Sequence, residues 1–435
     1  MRFIIKHSGR GGERVGTLSG FLKSPNAVIE TPTAALETKG GSVIHITAEV
    51  LAKIFTAPQL LWLPLSNSIQ LETGCKLQNE GVAKFAGLPE HVTLVSLQNV
   101  SEETSEGHFE SNKVPLWTRQ GKVMISASRY MDVMEVFKPD IILAIADGHT
   151  SLEEPNKRIA KSVARTSNMF EVCVDRYKAS TLLKDSSLIG VVVGAANLKK
   201  CEESLQSVLK HVDVIQGVAL EGVTDGKGKT MDIDYDDLKE IFEKIGNAIP
   251  KHLLRVFEGA WNPALVVSAI EQGWDVFDGS YPVSLTCAGY ALCLTYDMNK
   301  EKTPSYLLDL SDESYAEDFT PIAEGCECLC CQKHTRAYIR HLINTREMLA
   351  SVLLSIHNLY HFDQLFHHAR RHIENDTFQE FKNHIIEQCK NCTASLYKFK
   401  PTHDNKENIR DPKNSYRTEL SALLPATIYM SRGEP

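Results

Sequence analysis

Beyond about residue 120 the chain repeats one pattern: a short apolar run, a helix-period segment, then another apolar run. Ile141 to Ala146 stops at Asp147-Gly148, and Leu188 to Val193 stops at Gly194. Val212 to Leu220 ends on Glu221-Gly222, Leu253 to Val256 follows, and Trp274 to Phe277 ends on Asp278-Gly279. Such runs do not alternate apolar with polar residues, so both faces of each strand must be covered. Strands of that kind separated by helices form a parallel sheet in an α/β fold, either a closed barrel or an open doubly wound sheet. The intervening segments carry helix signals. Leu238, Ile241, Phe242 and Ile245 fall on one face of a helix. Asp236 and Asp237 favour its positive N-terminal end, and Gly246 with Pro250 predicts its stop. Asn262 predicts a cap for a helix with Pro263 in first position, closed by Gly273.

Acidic residues recur where these runs end: Asp147, Glu221 and Asp278. In a barrel of parallel strands that end carries the functional site. An Asp-Gly pair also makes a turn, which accounts for any one of them alone. With 435 residues, 43% hydrophobic and 23% charged, the chain can fill one large barrel with insertions or two to three domains; a disordered chain or a small disulfide scaffold is excluded. The formal net charge of -8 shows no basic nucleic-acid domain, so any RNA contact must be a local face. No apolar stretch reaches the roughly 18 residues of a membrane span; Leu51 to Leu65 is broken by Lys53, Pro58 and Pro64. The first twenty residues carry Lys6, Arg10, Glu13 and Arg14 without an apolar core, which argues against a secretory signal and for a cytoplasmic location. Residues 98–114 are polar and acidic and read as a long surface loop.

Eleven cysteines are too few and too odd in number for a disulfide framework; in the cytosol they read as metal ligands or core residues. Four fall in six positions: Cys326-Glu327-Cys328-Leu329-Cys330-Cys331. His357 lies beyond, on a segment from Thr335 to Tyr360 that reads as helical, with Tyr338, Leu342 and Leu349 among its apolar positions. Three thiolates and an imidazole fill a tetrahedral zinc shell and leave no place for water, so the site is structural, and metal binding is coupled to folding. The chemistry leaves the ligand choice open. Cys330 and Cys331 are too close in sequence to serve one ion together easily, His334 is a nearer imidazole, and His361 lies one turn beyond His357. The rest of the histidine run, His367, His368 and His372, reads as a solvated helix face, and Cys389-Lys390-Asn391-Cys392 as a chance pair on a surface helix.

The spacing Cys326, Cys328, Cys331 and, after 25 intervening residues, His357 resembles the zinc segment of tRNA-guanine transglycosylases. The resemblance implies that these four are the ligands of one structural Zn2+ and that Cys330 is a bystander. It extends upstream over roughly residues 1–375. Gly273 to Asp278 resembles the family's strand whose last aspartate is the nucleophile. Asp140 to Asp147 resembles the segment whose last aspartate reads the purine base, and Thr31-Pro32-Thr33 with Gly41 to His45 resembles its N-terminal region. The fold it implies is a (β/α)8 TIM barrel with a zinc-binding insertion near the C-terminus. The barrel domain would cover residues 1–395, with the zinc subdomain at about 320–375. Residues 396–435, with Lys398, Lys400, Lys406, Arg410 and Lys413, are expected to lack fixed structure.

The departures carry equal weight. Catalytic members have a D-S-G-G-F-Q segment that supplies a second aspartate and a glycine-lined pocket; here Val92 to Asn99 has neither. The Q-G-G turn becomes Val193-Gly194-Ala195-Ala196, the G-G-L turn Leu220-Glu221-Gly222-Val223, and the P-T-R after the nucleophile Tyr281-Pro282-Val283-Ser284. Base exchange needs a carboxylate nucleophile and a shaped pocket. The pattern resembles the accessory, catalytically inactive branch of the eukaryotic queuine enzymes. That implies a heterodimer with a catalytic subunit, formed near the zinc region, which exchanges guanine for queuine at the wobble position of tRNAs with GUN anticodons during queuosine biosynthesis. Lys333, Arg336, Arg340 and Arg346 are candidate phosphate contacts. The resemblance also permits a peripheral place on the mitochondrial outer membrane. Two rivals are an active transglycosylase with Asp278 as nucleophile, and a zinc-stabilised interaction protein with no RNA role.

Overall fold

A computed structural model of the chain describes residues 1–102, 104, 110, 112–223, 233, 235–299 and 305–390. It opens with an antiparallel sheet, β1 (Arg2–Ser8), β2 (Arg14–Ser19) and β3 (Ile29–Thr31). β4 (Thr33–Lys39) follows with a short antiparallel partner, β5 (Ser42–Val43). α1 (Ala48–Ile54) leads to β6 (Leu60–Pro64). α2 (Leu65–Ser68), α3 (Glu72–Gln78) and α4 (Val82–Phe85) lead to β7 (Val92–Ser96). A hairpin of β8 (Lys113–Thr118) and β9 (Gly121–Ser126) precedes α5 (Ala127–Phe137). Strand and helix then alternate: β10 (Ile141–Leu143), α6 (Asn156–Ala179), β11 (Ser187–Val192), α7 (Leu198–Leu209), β12 (Gly217–Leu220), α8 (Tyr235–Ala248), β13 (Leu254–Phe257), α9 (Pro263–Glu271), β14 (Val276–Asp278) and α10 (Ser280–Cys287). An antiparallel pair, β15 (Tyr290–Leu292) and β16 (Leu307–Asp309), comes next. Three helices, α11 (Arg336–Asn344), α12 (Met348–Glu374) and α13 (Phe378–Lys390), follow.

Strands β4, β6, β7, β10, β11, β12, β13 and β14 are hydrogen-bonded in that order, all parallel. β14 pairs back onto β4, Val276 opposite Thr33 and Asp278 opposite Ala35, so the sheet closes. This is the (β/α)8 barrel, and the choice between closed and open sheet is settled by that one pairing. The strands are short because each needs only to cross the barrel, and their side chains are buried on both sides, as in Leu188, Ile189, Val191 and Val192 of β11. Asn262 caps α9, its Oδ1 accepting from Leu265 N at 3.0 Å with Pro263 beside it, as predicted.

The N-terminal sheet is stapled to the bottom of the barrel by a buried ion pair. The Arg14 guanidinium donates to both oxygens of Asp275, at 2.8 and 2.5 Å, and to the carbonyls of Lys251 and Leu253. Both side chains are almost fully buried. Helix α12 lies along α10 and β15 and reaches β4 and β2, while α13 packs on α9.

Several predicted boundaries shift. β12 starts at Gly217, because Val212 to Ile215 remain in turns that hydrogen-bond back to the end of α7. α8 runs through Gly246 to Ala248; that glycine is buried, and a methyl there would meet Gln272 O at 3.2 Å. The single helix read over 335–360 is two helices, broken where Arg346 takes a left-handed φ of 58°. Tyr338 and Leu349 face solvent, and only Leu342 of the three apolar positions is buried. The 98–114 segment is not simply a surface loop: Asn99 is buried and donates to Glu37, and β8 begins at Lys113. Residues 103, 105–109 and 111 of it lie outside the described residues, as do Cys392 and the tail 396–435. Cys389 is buried, because it continues the stripe of Phe378, Phe381 and Ile385 on α13.

Candidate functional site

The candidate metal centre is built by a tight loop and a long helix. Backbone turns, Cys326 N to Ala323 O at 3.2 Å and Gln332 N to Cys328 O at 3.1 Å, fold the loop so that three of its four thiols converge. The Sγ atoms of Cys326, Cys328 and Cys331 and one nitrogen of His357 all lie within 4.8 Å of one another. The three sulfurs stand 3.8, 3.5 and 3.3 Å from His357 Nδ1. A tetrahedron with Zn–S about 2.3 Å and Zn–N about 2.0 Å has S–N edges of roughly 3.6 Å, so the cluster fits a zinc-sized ion. His357 Nε2 donates to Leu292 O at 2.8 Å, which leaves the Nδ1 lone pair pointing at the thiols.

The residues that chemistry left open now separate. Cys330 is fully buried and outside the cluster, and burial pushes its thiol up to about 12. His334 stacks on Tyr338 with ring centres 5.3 Å apart. His361 stacks on His357, and its Nε2 accepts from Leu294 N at 2.8 Å; burial, with His357 beside it, holds its pKa down to about 3. The histidine run is therefore not a solvated face. His368 stacks on Tyr296 and His372 on Phe381, and only His367 is exposed. These side chains have a task the sequence hides: backbone groups from Leu292 to Thr295 that do not pair with β16 are paired by helix side chains. Asn358 serves Leu292 N, His361 serves Leu294 N, and Gln388 serves Thr295 N at 2.8 Å. Of the four basic candidates nearby, Arg336 is engaged with Asp318 and Ile322 O, and Arg340 with Asp312 O. Lys333 and Arg346 are exposed.

The second site is the C-terminal mouth of the barrel, where Asp147, Glu221 and Asp278 all arrive. Two further carboxyls join them: Glu37 on β4 and Glu258 after β13. Glu258-Gly259 ends an apolar run just as Glu221-Gly222 does, so that signal was in the sequence. Glu37, flanked by Leu36 and Thr38 inside a strand, gave none. Asp278 is buried and its Oδ1 accepts from Ser280 N at 2.8 Å and from Ser280 Oγ. Burial raises it to about 6, against the opposing hydrogen bonds from Ser280 and the Gly259 backbone. Burial, then the charge of Asp147, raises Glu221 to about 7, and burial also raises Glu258. Asp147 is held by two arginines: Arg158 forks onto both oxygens at 2.9 and 2.7 Å, and Arg165 donates to Oδ2. Asp147, Glu221 and Glu258 line a cavity of about 60 Å³, with Leu97, Val114, Pro115 and Trp117 among its other walls.

The sequence profile of the family described as "Queuine tRNA-ribosyltransferase" matches residues 10–391. Among similar proteins, one from Aedes aegypti named queuine tRNA-ribosyltransferase accessory subunit 2 is 33% identical over 390 residues, covering 89% of this chain and 93% of its own. Proteins of the same name from Culex quinquefasciatus and Drosophila melanogaster are 35% and 32% identical, over 88% and 89% of this chain and 91% and 93% of theirs. With the closed barrel and the Cys3His cluster in the positions that its zinc segment suggested, the chain belongs to the queuine tRNA-ribosyltransferase family.

Proposed function

We propose that this chain is the non-catalytic subunit of a heterodimeric queuine tRNA-ribosyltransferase, in which a catalytic partner exchanges guanine for queuine at the wobble position of tRNAs with GUN anticodons. The names of its relatives supply the accessory role. The observation that supports a chain without its own chemistry is the state of the barrel mouth. A nucleophilic carboxylate must reach the reacting carbon and a base must lie beside it. Here Asp278 is buried and hydrogen-bonded to Ser280 and Gly259, and Asp147 is clamped by two guanidiniums. The cavity of about 60 Å³ is less than half the roughly 150 Å³ that admits benzene. The rival in which Asp278 attacks the nucleotide meets all three obstacles.

The test is exchange on a GUN-anticodon tRNA. The chain alone should give none, and adding the catalytic partner should give robust exchange that Asp278→Asn leaves intact. Exchange by the chain alone, lost in Asp278→Asn, would reverse the assignment.

Zinc fits the donor set, and a filled Cys3His shell supplies structural cross-linking. Cys326, Cys328 and Cys331 would hold it with His357, tying the loop to α12. Cys331→Ser should lose the metal and several degrees of Tm, whereas Cys330→Ser should keep one zinc per chain; equal zinc content in the two variants contradicts this ligand set. Beside the centre, Phe319, Tyr338, Met348 and Leu349 are exposed, Met348 at 85%. These exposed apolar side chains are our candidates for contacts with the catalytic partner. Among the described residues no helix is long and apolar enough to cross a membrane, and we propose any place on the mitochondrial outer membrane as a peripheral one.

A further inference from the structure

We infer that Arg158, Arg165 and Glu221 form a plug that withdraws this barrel mouth from base binding, and that removing them reopens a site for a purine base. The inference rests on the accessory reading and names the residues that impose it.

The first part of the plug is the double clamp on Asp147. The carboxylate is fully buried. Arg158 occupies both its oxygens and Arg165 adds a third contact on Oδ2. A carboxylate offers about four acceptor positions in its plane, so the edge that could accept two N–H groups of a base is already filled. Asp147 N donates to Thr166 Oγ1 at 3.0 Å and its carbonyl accepts from Ser162 Oγ at 2.5 Å, all from one face of α6. A base that displaced the guanidiniums would have to break these ion pairs with two part-buried cations, 17% and 11% exposed.

The second part is steric. Glu221 stands where the resembling turn has its first glycine, and its side chain folds onto Gly148. A methyl on Gly148 would meet Glu221 Oε1 at 1.9 Å. Arg158 Nη2 also donates to His149 O at 3.0 Å, and Thr150 Oγ1 to Gly222 O at 2.7 Å. The loop after β10 is thus drawn down beside the loop after β12, with the Glu221 carboxyl between them. What remains is the small cavity under Trp117 and Pro115.

The experiment is equilibrium dialysis of the isolated full-length chain against radiolabelled guanine. The wild type should show no saturable binding. Glu221→Gly should show weak binding, and the triple variant Glu221→Gly, Arg158→Met, Arg165→Met should bind at least tenfold more tightly, with loss of that gain when Asp147→Asn is added. Circular dichroism and one zinc per chain certify the fold. Two results overturn the inference: wild-type chain that binds one guanine and loses it in Asp147→Asn, or a folded triple variant with no gain. If the triple variant does not fold, Glu221→Gly decides alone, and absence of any gain there also overturns it. Partner-dependent exchange is measured in parallel. A partner that exchanges base equally well without this chain sinks the accessory reading and leaves the plug standing.

Discussion

Glu37 shows how far a single side chain at the mouth departs from its behaviour in water. It is buried, one oxygen accepts from Asn99 and Ser101, and the other has no partner. Burial, with Asp278 next in effect, raises its pKa to about 8. The sign follows from linkage: the folded chain holds this proton more tightly than the unfolded chain, so stability is untouched below about pH 4.5 and falls as pH rises toward 8. Every tenfold gain in proton affinity on folding corresponds to about 1.4 kcal/mol, so the complete loss above pH 8 is of the order of 3–5 kcal/mol. Glu37→Gln, which cannot ionise, should match the wild type in Tm at pH 5 and exceed it by several degrees at pH 9. A gap that does not widen with pH would show that Glu37 is ionised in the fold. At this scale the Cys3His candidates were legible through the resemblance, while the chemistry of the loop alone left the choice among four thiols and three imidazoles open. Glu37 was not, because a lone acid in an apolar strand reads the same whether it faces solvent or the barrel interior.

At the scale of elements, the Arg14–Asp275 pair links β2 to the strand that closes the barrel. Both groups are desolvated, so breaking one side leaves a buried charge, at about 3–5 kcal/mol. Arg14→Ala should lower stability by that order, and Arg14→Met with Asp275→Leu should recover most of it, by urea denaturation. If the double variant is as unstable as the single, packing of the N-terminal sheet is the larger effect. The helix starts and types were readable from periodicity and caps, as with Asn262 and Pro263. The break between α11 and α12 was not, because it depends on one residue, Arg346, taking a conformation its type does not favour. The histidines of α12 misled for a related reason. Their polarity suggested water, while their partners are backbone groups of the 292–295 segment, some 65 residues away in the chain.

At the scale of the molecule, an acidic chain must meet its partners through local surfaces. The exposed apolar side chains Phe319, Tyr338, Met348 and Leu349, which flank the Cys3His loop and begin α12, are the candidates for one such surface. Met348→Glu with Leu349→Glu should weaken association with the catalytic partner at least tenfold by analytical ultracentrifugation, with Tm within a degree or two of wild type, since neither side chain is in the core. Unchanged affinity would move the interface elsewhere on the barrel. The sequence by itself determined the repeating strand–helix units, the acids that end three of the strands and the four side chains of the candidate metal site. The units and the acids follow from periodicity and turn signals; of the four side chains the thiols lie close in sequence, and His357, after 25 intervening residues, is picked out by the resemblance. Only the tertiary structure decided that β14 closes on β4, that Asp147 is clamped by α6, and that Glu37, Glu258 and Asp278 lose their water together. Those outcomes depend on which distant groups share a desolvated space, and no local pattern encodes that.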